Sequence, residues 1–125
     1  MNIQTMPFPL ESKIVPKDWG YETIFVNNEL YCGKILHFNQ GWSFSMHYHI
    51  LKHETWHVLS GKFLLKWIWT ETGINKELIL EKGNTIVIPN GLPHQLLALE
   101  EGDILEVSTH HYDSDSYRIY KGSNS

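Results

Sequence analysis

Between Gly41 and Gly61 the chain reads GWSFSMHYHILKHETWHVLSG, and this run constrains the fold more than any other part of the sequence. His47 and His49 stand two residues apart. In an extended strand such residues point to the same face, so two imidazoles can aim at one point. A short turn over Ile50–His53 then lets the chain return with Glu54 facing the same interior. Further on, Gly83–His94 (GNTIVIPNGLPH) brings a fourth candidate, His94. Three imidazoles and a carboxylate form a borderline ligand set, suited to one divalent transition metal ion such as zinc, manganese, iron or nickel.

The rest of the chain supplies the strands such a site requires. Tyr21–Val26, Tyr31–Phe38, Ser43–His49, Glu54–Leu59 and Lys62–Trp69 read as short strands, as do Glu77–Leu80, Thr85–Ile88, Gln95–Leu99, Ile104–Ser108 and Ser116–Tyr120. Turn signals such as Asn39-Gln40-Gly41, Ser60-Gly61, Lys82-Gly83 and Glu101-Gly102 separate them. No long helical period occurs, so the class is all-β, a sandwich or barrel. At 125 residues the chain is one domain. Pro7, Pro9 and Pro16 mark residues 1–17 as an extended arm, residues 18–120 as the domain and residues 121–125 as a flexible tail.

Alternation also sorts side chains by face. Ser45, His47 and His49 share one face, as do Glu54, Trp56 and Val58 on the next strand, and Lys34, Leu36 and Phe38 on an earlier one. If those faces look inward, Lys34 is a cation in a metal-lined cavity, costly to bury without an anionic partner or a substrate. His37 and His57 are expected to face away and His53 to lie on the surface. His110 and His111, beside the last strand, receive no role. Gly41, Gly61, Gly83 and Gly91 read as turn glycines with positive φ. Trp42, Trp56, Trp67 and Trp69 read as core or subunit-contact residues rather than sugar-stacking platforms.

Composition removes several classes of partner. A formal net charge of −4 argues against nucleic acid or an anionic membrane as the main partner. One cysteine rules out an internal disulfide framework and fits a reducing compartment. No apolar stretch approaches the roughly 20 residues that span a bilayer. The start, MNIQTMPFPLESK, lacks the basic and apolar regions of a signal peptide, so the expected location is cytoplasmic. Exposed edge strands and many aromatics lead us to expect a homodimer.

With these residues in place, a family resemblance is evident. Gly41, His47, His49, Glu54 and Gly61 match the first cupin motif, G(X)5HXH(X)4E(X)6G, without a gap. Gly83, Pro89, Gly91 and His94 match the second, G(X)5PXG(X)2H(X)3N, with Ala98 where Asn is usual. The resemblance spans roughly Gly20 to Arg118 and implies a double-stranded β-helix, the jelly-roll barrel, with the metal in its mouth. The flanks narrow it. Val15–Glu22 (VPKDWGYE) and Leu105–Arg118 (LEVSTHHYDSDSYR) are similar to the two ends of the cupin domain in type II mannose-6-phosphate isomerases and mannose-1-phosphate guanylyltransferases. Asp18, Met46 and Lys52 depart from that pattern, where Pro, Gln and Arg are usual. The length leaves no room for a nucleotidyltransferase half, so nucleotide transfer is not expected.

The narrower resemblance implies a metal-dependent aldose–ketose isomerase acting on a sugar phosphate or nucleotide-sugar. In that reading His47, His49, Glu54 and His94 bind the metal. Lys34 and Arg118 are the candidate catalytic residues, and Lys34, Arg118 and a rim-placed Lys52 are the candidate contacts to an anionic substrate. The same ligand set also suits a cupin dioxygenase or hydrolase, and a non-catalytic sugar-binding module would keep it too.

Overall fold

The computed structural model describes residues 5–122. In chain order its strands are β1 (Lys13–Lys17), β2 (Gly20–Asn27), β3 (Cys32–Phe38), β4 (Met46–Tyr48), β5 (Glu54–Val58) and β6 (Lys62–Trp69). β7 (Ile74–Glu81), β8 (Thr85–Ile88), β9 (His94–Glu100), β10 (Gly102–Ser108) and β11 (Tyr117–Tyr120) complete the set. Among the described residues no helix is long and apolar enough to cross a membrane.

Two sheets result, ordered β1-β2-β3-β10-β5-β8 and β11-β4-β9-β6-β7, with antiparallel pairing throughout. From β3 onward the chain changes sheet at every connection except the β6–β7 hairpin. That wiring is the jelly roll. It brings segments distant in sequence side by side, and it is why one pocket collects residues from both ends of the chain.

The inward faces follow the alternation expected from sequence. Leu36 and Phe38 of β3, Trp56 and Val58 of β5, Phe63 and Leu65 of β6 and Ile104 of β10 are all buried between the sheets. Trp19 stacks on Phe38 at 4.4 Å between ring centroids, and Phe63 meets Phe38 edge-on at 5.4 Å. Each buried side chain of this size contributes about 1.5–3 kcal/mol. Along β3, β10 and β5 the register then changes the chemistry of this face in two steps. Ile104 lies between Leu36 and Val58, an apolar rung. Glu106, two residues on, lies between Lys34 and Trp56, and Ser108 lies between Cys32 and Glu54. One end of the interior is therefore oily and the other is charged.

The turn glycines behave as expected. Gly41, Gly61, Gly83 and Gly91 all have positive φ, between 81° and 89°. At Gly61 a Cβ would also stand 2.7 Å from the Glu101 carbonyl oxygen, so both the conformation and the space exclude a side chain there.

Two expectations are corrected. The last five residues of the arm, Lys13–Lys17, join the sheet as β1, paired in register with β2 from Lys13↔Ile24 to Lys17↔Gly20. Pro16 is tolerated because an edge strand needs partners on one side only. The strand expected over Ser43–His49 is regular only at Met46–Tyr48, with an isolated bridge from Ser43 to Leu97. The Ser45 carbonyl accepts a hydrogen bond from the His47 ring there, a use that competes with a continuous ladder. The first four residues of the arm and the last three of the tail lie outside the described residues.

Candidate metal centre

Three strand ends meet at the charged end of the interior. His47 lies in β4 and pairs in register with His94, the first residue of β9. His49 follows just beyond β4, and Glu54 opens β5. The three histidines each offer a ring nitrogen within 4.8 Å of the others. Ring centroids are 4.9 Å apart for His47–His49, 4.7 Å for His47–His94 and 5.6 Å for His49–His94. Glu54 stands beside this cluster, its Oε2 3.5 Å from His49 Nε2.

The opposite ring nitrogens explain the orientation. His47 Nδ1 donates to the Ser45 carbonyl at 2.7 Å, His49 Nδ1 to the Asp115 carbonyl at 2.7 Å and His94 Nδ1 to the Leu92 carbonyl at 2.8 Å. A carbonyl oxygen only accepts, so each Nδ1 carries the hydrogen and each Nε2 keeps its lone pair. This is the backbone-anchored arrangement of metal-binding histidines. Burial holds the His47 imidazolium down to about 4, and burial likewise lowers His49 and His94. All three are neutral, the form that binds metal.

Two atoms at the cluster have no hydrogen-bond partner, His94 Nε2 and Glu54 Oε2, and both are buried. Buried polar atoms are seldom left unpaired. A divalent cation would satisfy both, and the nitrogen and oxygen donors suit it chemically. Glu54 Oε1 is already fixed by the Trp56 indole N–H at 2.6 Å, which leaves Oε2 to face the histidines.

Behind the cluster lies a buried charge network. Lys52 is 4% exposed, not at the rim as expected from sequence. Its ammonium sits 3.3 Å from Glu106 Oε2, as a hydrogen bond, and 3.4 Å from Glu54 Oε2. Burial opposes the Lys52 charge, but Glu106 and Glu54 outweigh it and raise its pKa. Burial, reinforced by the nearby Glu106, raises Glu54 to about 8. Burial also opposes ionisation of Glu106, yet Lys52 and Lys34 prevail and hold it well below the usual carboxylate range. The two carboxylates are thus pushed in opposite directions, Glu54 toward its protonated form and Glu106 toward its ionised one. Asp115 fixes the turn that makes this possible. Its carboxylate accepts from the backbone N–H groups of Ile50, Leu51 and Lys52 at 2.8–3.1 Å.

The cavity above the cluster measures about 470 Å³. Lys34 lines it, buried as expected, with Glu22 as its ionic partner at 3.7 Å. Arg118 lines it from β11, exposed, in register with His47. His111 also lines it, a placement the sequence reading did not assign. Its Nδ1 is buried without a partner, and its Nε2 lies 3.1 Å from Asp113. Glu22 and Glu106 were likewise not picked out as site residues. Strand alternation was the available signal for Glu106, since it shares a face with Ile104. His37 and His57 point elsewhere as expected, to Asp103 and Thr85 at 2.7 Å each. Of the tryptophans, Trp19 and Trp56 line the cavity, Trp42 and Trp67 pack on the core, and Trp69 is half exposed.

Comparison with known proteins agrees with this architecture. A family model described as a Cupin domain matches residues 34–111. The capsular polysaccharide assembling protein CapF from Staphylococcus aureus superimposes with a TM-score of 0.76 and 21% identity, over 90% of this chain and 33% of that one. Oxalate decarboxylase from Bacillus subtilis at pH 4.6 gives 0.80 and 19%, over 95% and 33%. A further structure of that decarboxylase, described by the Mn(II) centres it contains, gives 0.79 and 19%, over 95% and 33%. This chain spans about a third of the length of each, and the likeness is one of fold. Comparison with curated protein sequences gives no match.

Proposed function

The chain belongs to the cupin family, and from that premise we propose that it is a metal-dependent enzyme catalysing aldose–ketose isomerisation of a sugar phosphate or of a sugar carried on a nucleotide. The observation that carries the reading is the pair of buried atoms without a hydrogen-bond partner, His94 Nε2 and Glu54 Oε2, at the inner end of a cavity large enough for a small sugar. His47, His49, His94 and Glu54 hold the ion. When bound, the metal supplies Lewis-acid polarisation of a carbonyl and its neighbouring hydroxyl.

Isomerisation then needs a proton moved between adjacent carbons. His111 is the best-placed carrier. It lies outside the ligand set, its Nδ1 is free to accept, and burial lowers it to about 4, so it is neutral near pH 7. Asp113 at Nε2 fixes the tautomer that presents a bare Nδ1. His111 takes the proton from the hydroxyl-bearing carbon and returns it to the former carbonyl carbon, while the hydroxyl proton passes to the former carbonyl oxygen, so the step balances without a redox partner. Lys34, paired with Glu22 and flanking Glu106, shapes the field rather than carrying the proton. Arg118 at the mouth holds the anionic group of the substrate. The flanks Val15–Glu22 and Leu105–Arg118, which resemble the type II mannose-6-phosphate isomerases, support this choice of substrate.

Incubating the metal-loaded protein with hexose and pentose phosphates in deuterated water tests the proposal. Deuterium is expected at the carbon beside the carbonyl, and His111→Gln is expected to slow its entry about 100-fold. Absence of exchange with every such phosphate overturns the reading. We also propose a homodimer, supported by the exposed Met6, Phe8 and Leu10 of the arm, and light scattering at micromolar concentration checks it.

A further inference from the structure

Five cationic side chains line the cavity, and they are not equivalent. Lys52 is neutralised by Glu106 and Glu54, and Lys34 by Glu22. Lys17 shares Glu22 at 3.9 Å and is exposed. Lys13 and Arg118 form no ion pair among the described residues. Lys13, Val15 and Lys17 alternate toward the cavity along β1, while the intervening Ile14 is 64% exposed on the other face. Arg118 comes from β11, the edge strand of the second sheet. The uncompensated cations thus stand on two sheets around one opening.

Surplus positive charge does not explain this placement, because the chain as a whole carries −4. The acid at the opening, Asp113, is fully exposed and engaged with His111. Uncompensated cations around a concave entrance with low-dielectric walls concentrate potential there and attract anions. A guanidinium paired with an ammonium suits a phosphate or carboxylate group, the first by two parallel donors and the second as a point charge. A neutral sugar can accept hydrogen bonds from either but makes no use of their charge. Lys13, Lys17 and Arg118 also lie outside residues 34–111, so the family match assigns them nothing.

We infer that β1 is part of the ligand site, and that Lys13, assisted by Lys17, closes with Arg118 on the anionic group of a ligand whose other end reaches the histidine cluster. This deepens the isomerase reading, on which it rests only for the inner contact. It makes the obligatory ligand an anionic sugar, and it makes an edge strand outside the family's matched core the determinant of that choice.

Calorimetric titration of the metal-loaded protein with inorganic phosphate, a hexose 6-phosphate, a uronic acid and the parent hexose tests it. The hexose 6-phosphate is expected to bind well above the parent hexose. Lys13→Ala and Arg118→Ala are each expected to weaken it about tenfold, with metal content and hexose binding unchanged. A uronic acid that shows the same losses makes the shared carboxylate and phosphate charge the recognised feature, and losses confined to the phosphates narrow it to phosphate. Equal binding of phosphorylated and neutral hexose, or wild-type phosphate affinity in both variants, overturns the clamp. A protein that takes up no metal yet binds phosphate through Lys13 and Arg118 overturns the metal reading and keeps the clamp. Metal uptake without anion discrimination does the reverse.

Discussion

The inner end of the cavity and its mouth are built from the same strands by opposite rules. At the inner end every charged group is buried and answered. Lys52 lies between two carboxylates, Glu54 is gripped by Trp56, and each histidine is anchored through Nδ1 to a backbone carbonyl. At the mouth Lys13 and Arg118 are exposed and form no ion pair among the described residues. Burial makes a charge expensive without a partner, so the inner network has little freedom to change. The mouth is solvated and can change at small cost. One chain can therefore hold its chemistry constant inside and vary its ligand outside.

The largest test of this contrast is in stability. Lys52→Met keeps the side-chain length but leaves Glu106 and Glu54 facing each other without the ammonium, and urea unfolding is expected to show a loss of about 3–5 kcal/mol. A near-neutral result would show that the network does not bear on the fold. Next in size is metal uptake. His47→Ala is expected to lower zinc or manganese affinity by at least about 100-fold in a chelator competition, while Lys13→Ala leaves it untouched.

The acid dependence of metal uptake gives a finer test. Binding needs neutral imidazoles and an ionised Glu54. His47 is held at about 4, whereas Glu54, raised to about 8, still carries a proton in the neutral range. Binding expels that proton, so affinity is expected to climb about tenfold per pH unit up to about pH 8 and then level off. A flat profile below that point shows that binding displaces no proton from Glu54, either because it is already ionised or because it lies outside the ligand set. The smallest effect belongs to the mouth, where Lys13→Ala is expected to shift unfolding by no more than about 0.5 kcal/mol.

The same contrast explains what was legible in the sequence. Strand alternation is a local property, so the inward faces of β3, β4 and β5 could be read directly, and Lys34 could be placed inside before its partner was known. The HXH spacing was legible for the same reason, and His94 through the segment Gly83–His94 that matches the second cupin motif. Pairing across the sheets is not local. Glu22 meets Lys34 from an adjacent strand, and Asp115 closes the Ile50–Lys52 turn from more than sixty residues away. Nothing in the intervening sequence announces either contact. Lys52 was placed at the rim as a contact to an anionic substrate, whereas Glu106 and Glu54 hold it inside. β1 was missed because three prolines outweighed a short alternating stretch that becomes a strand only once β2 is beside it.

The register between β11 and β4 has a consequence for size. Arg118 is the direct cross-strand neighbour of His47, and the pairing slips immediately afterwards, between Arg118 and Tyr120. Directly opposed residues on adjacent strands have Cβ atoms about 4.5–5.5 Å apart. If Arg118 holds a ligand's charged end as proposed, this register would act as a gauge, setting how far that end lies from the histidine cluster. Inserting or deleting one residue between Asp115 and Arg118 would turn the guanidinium to the other face and leave the histidines where they are. A family built on this barrel can recalibrate its gauge in that one short strand.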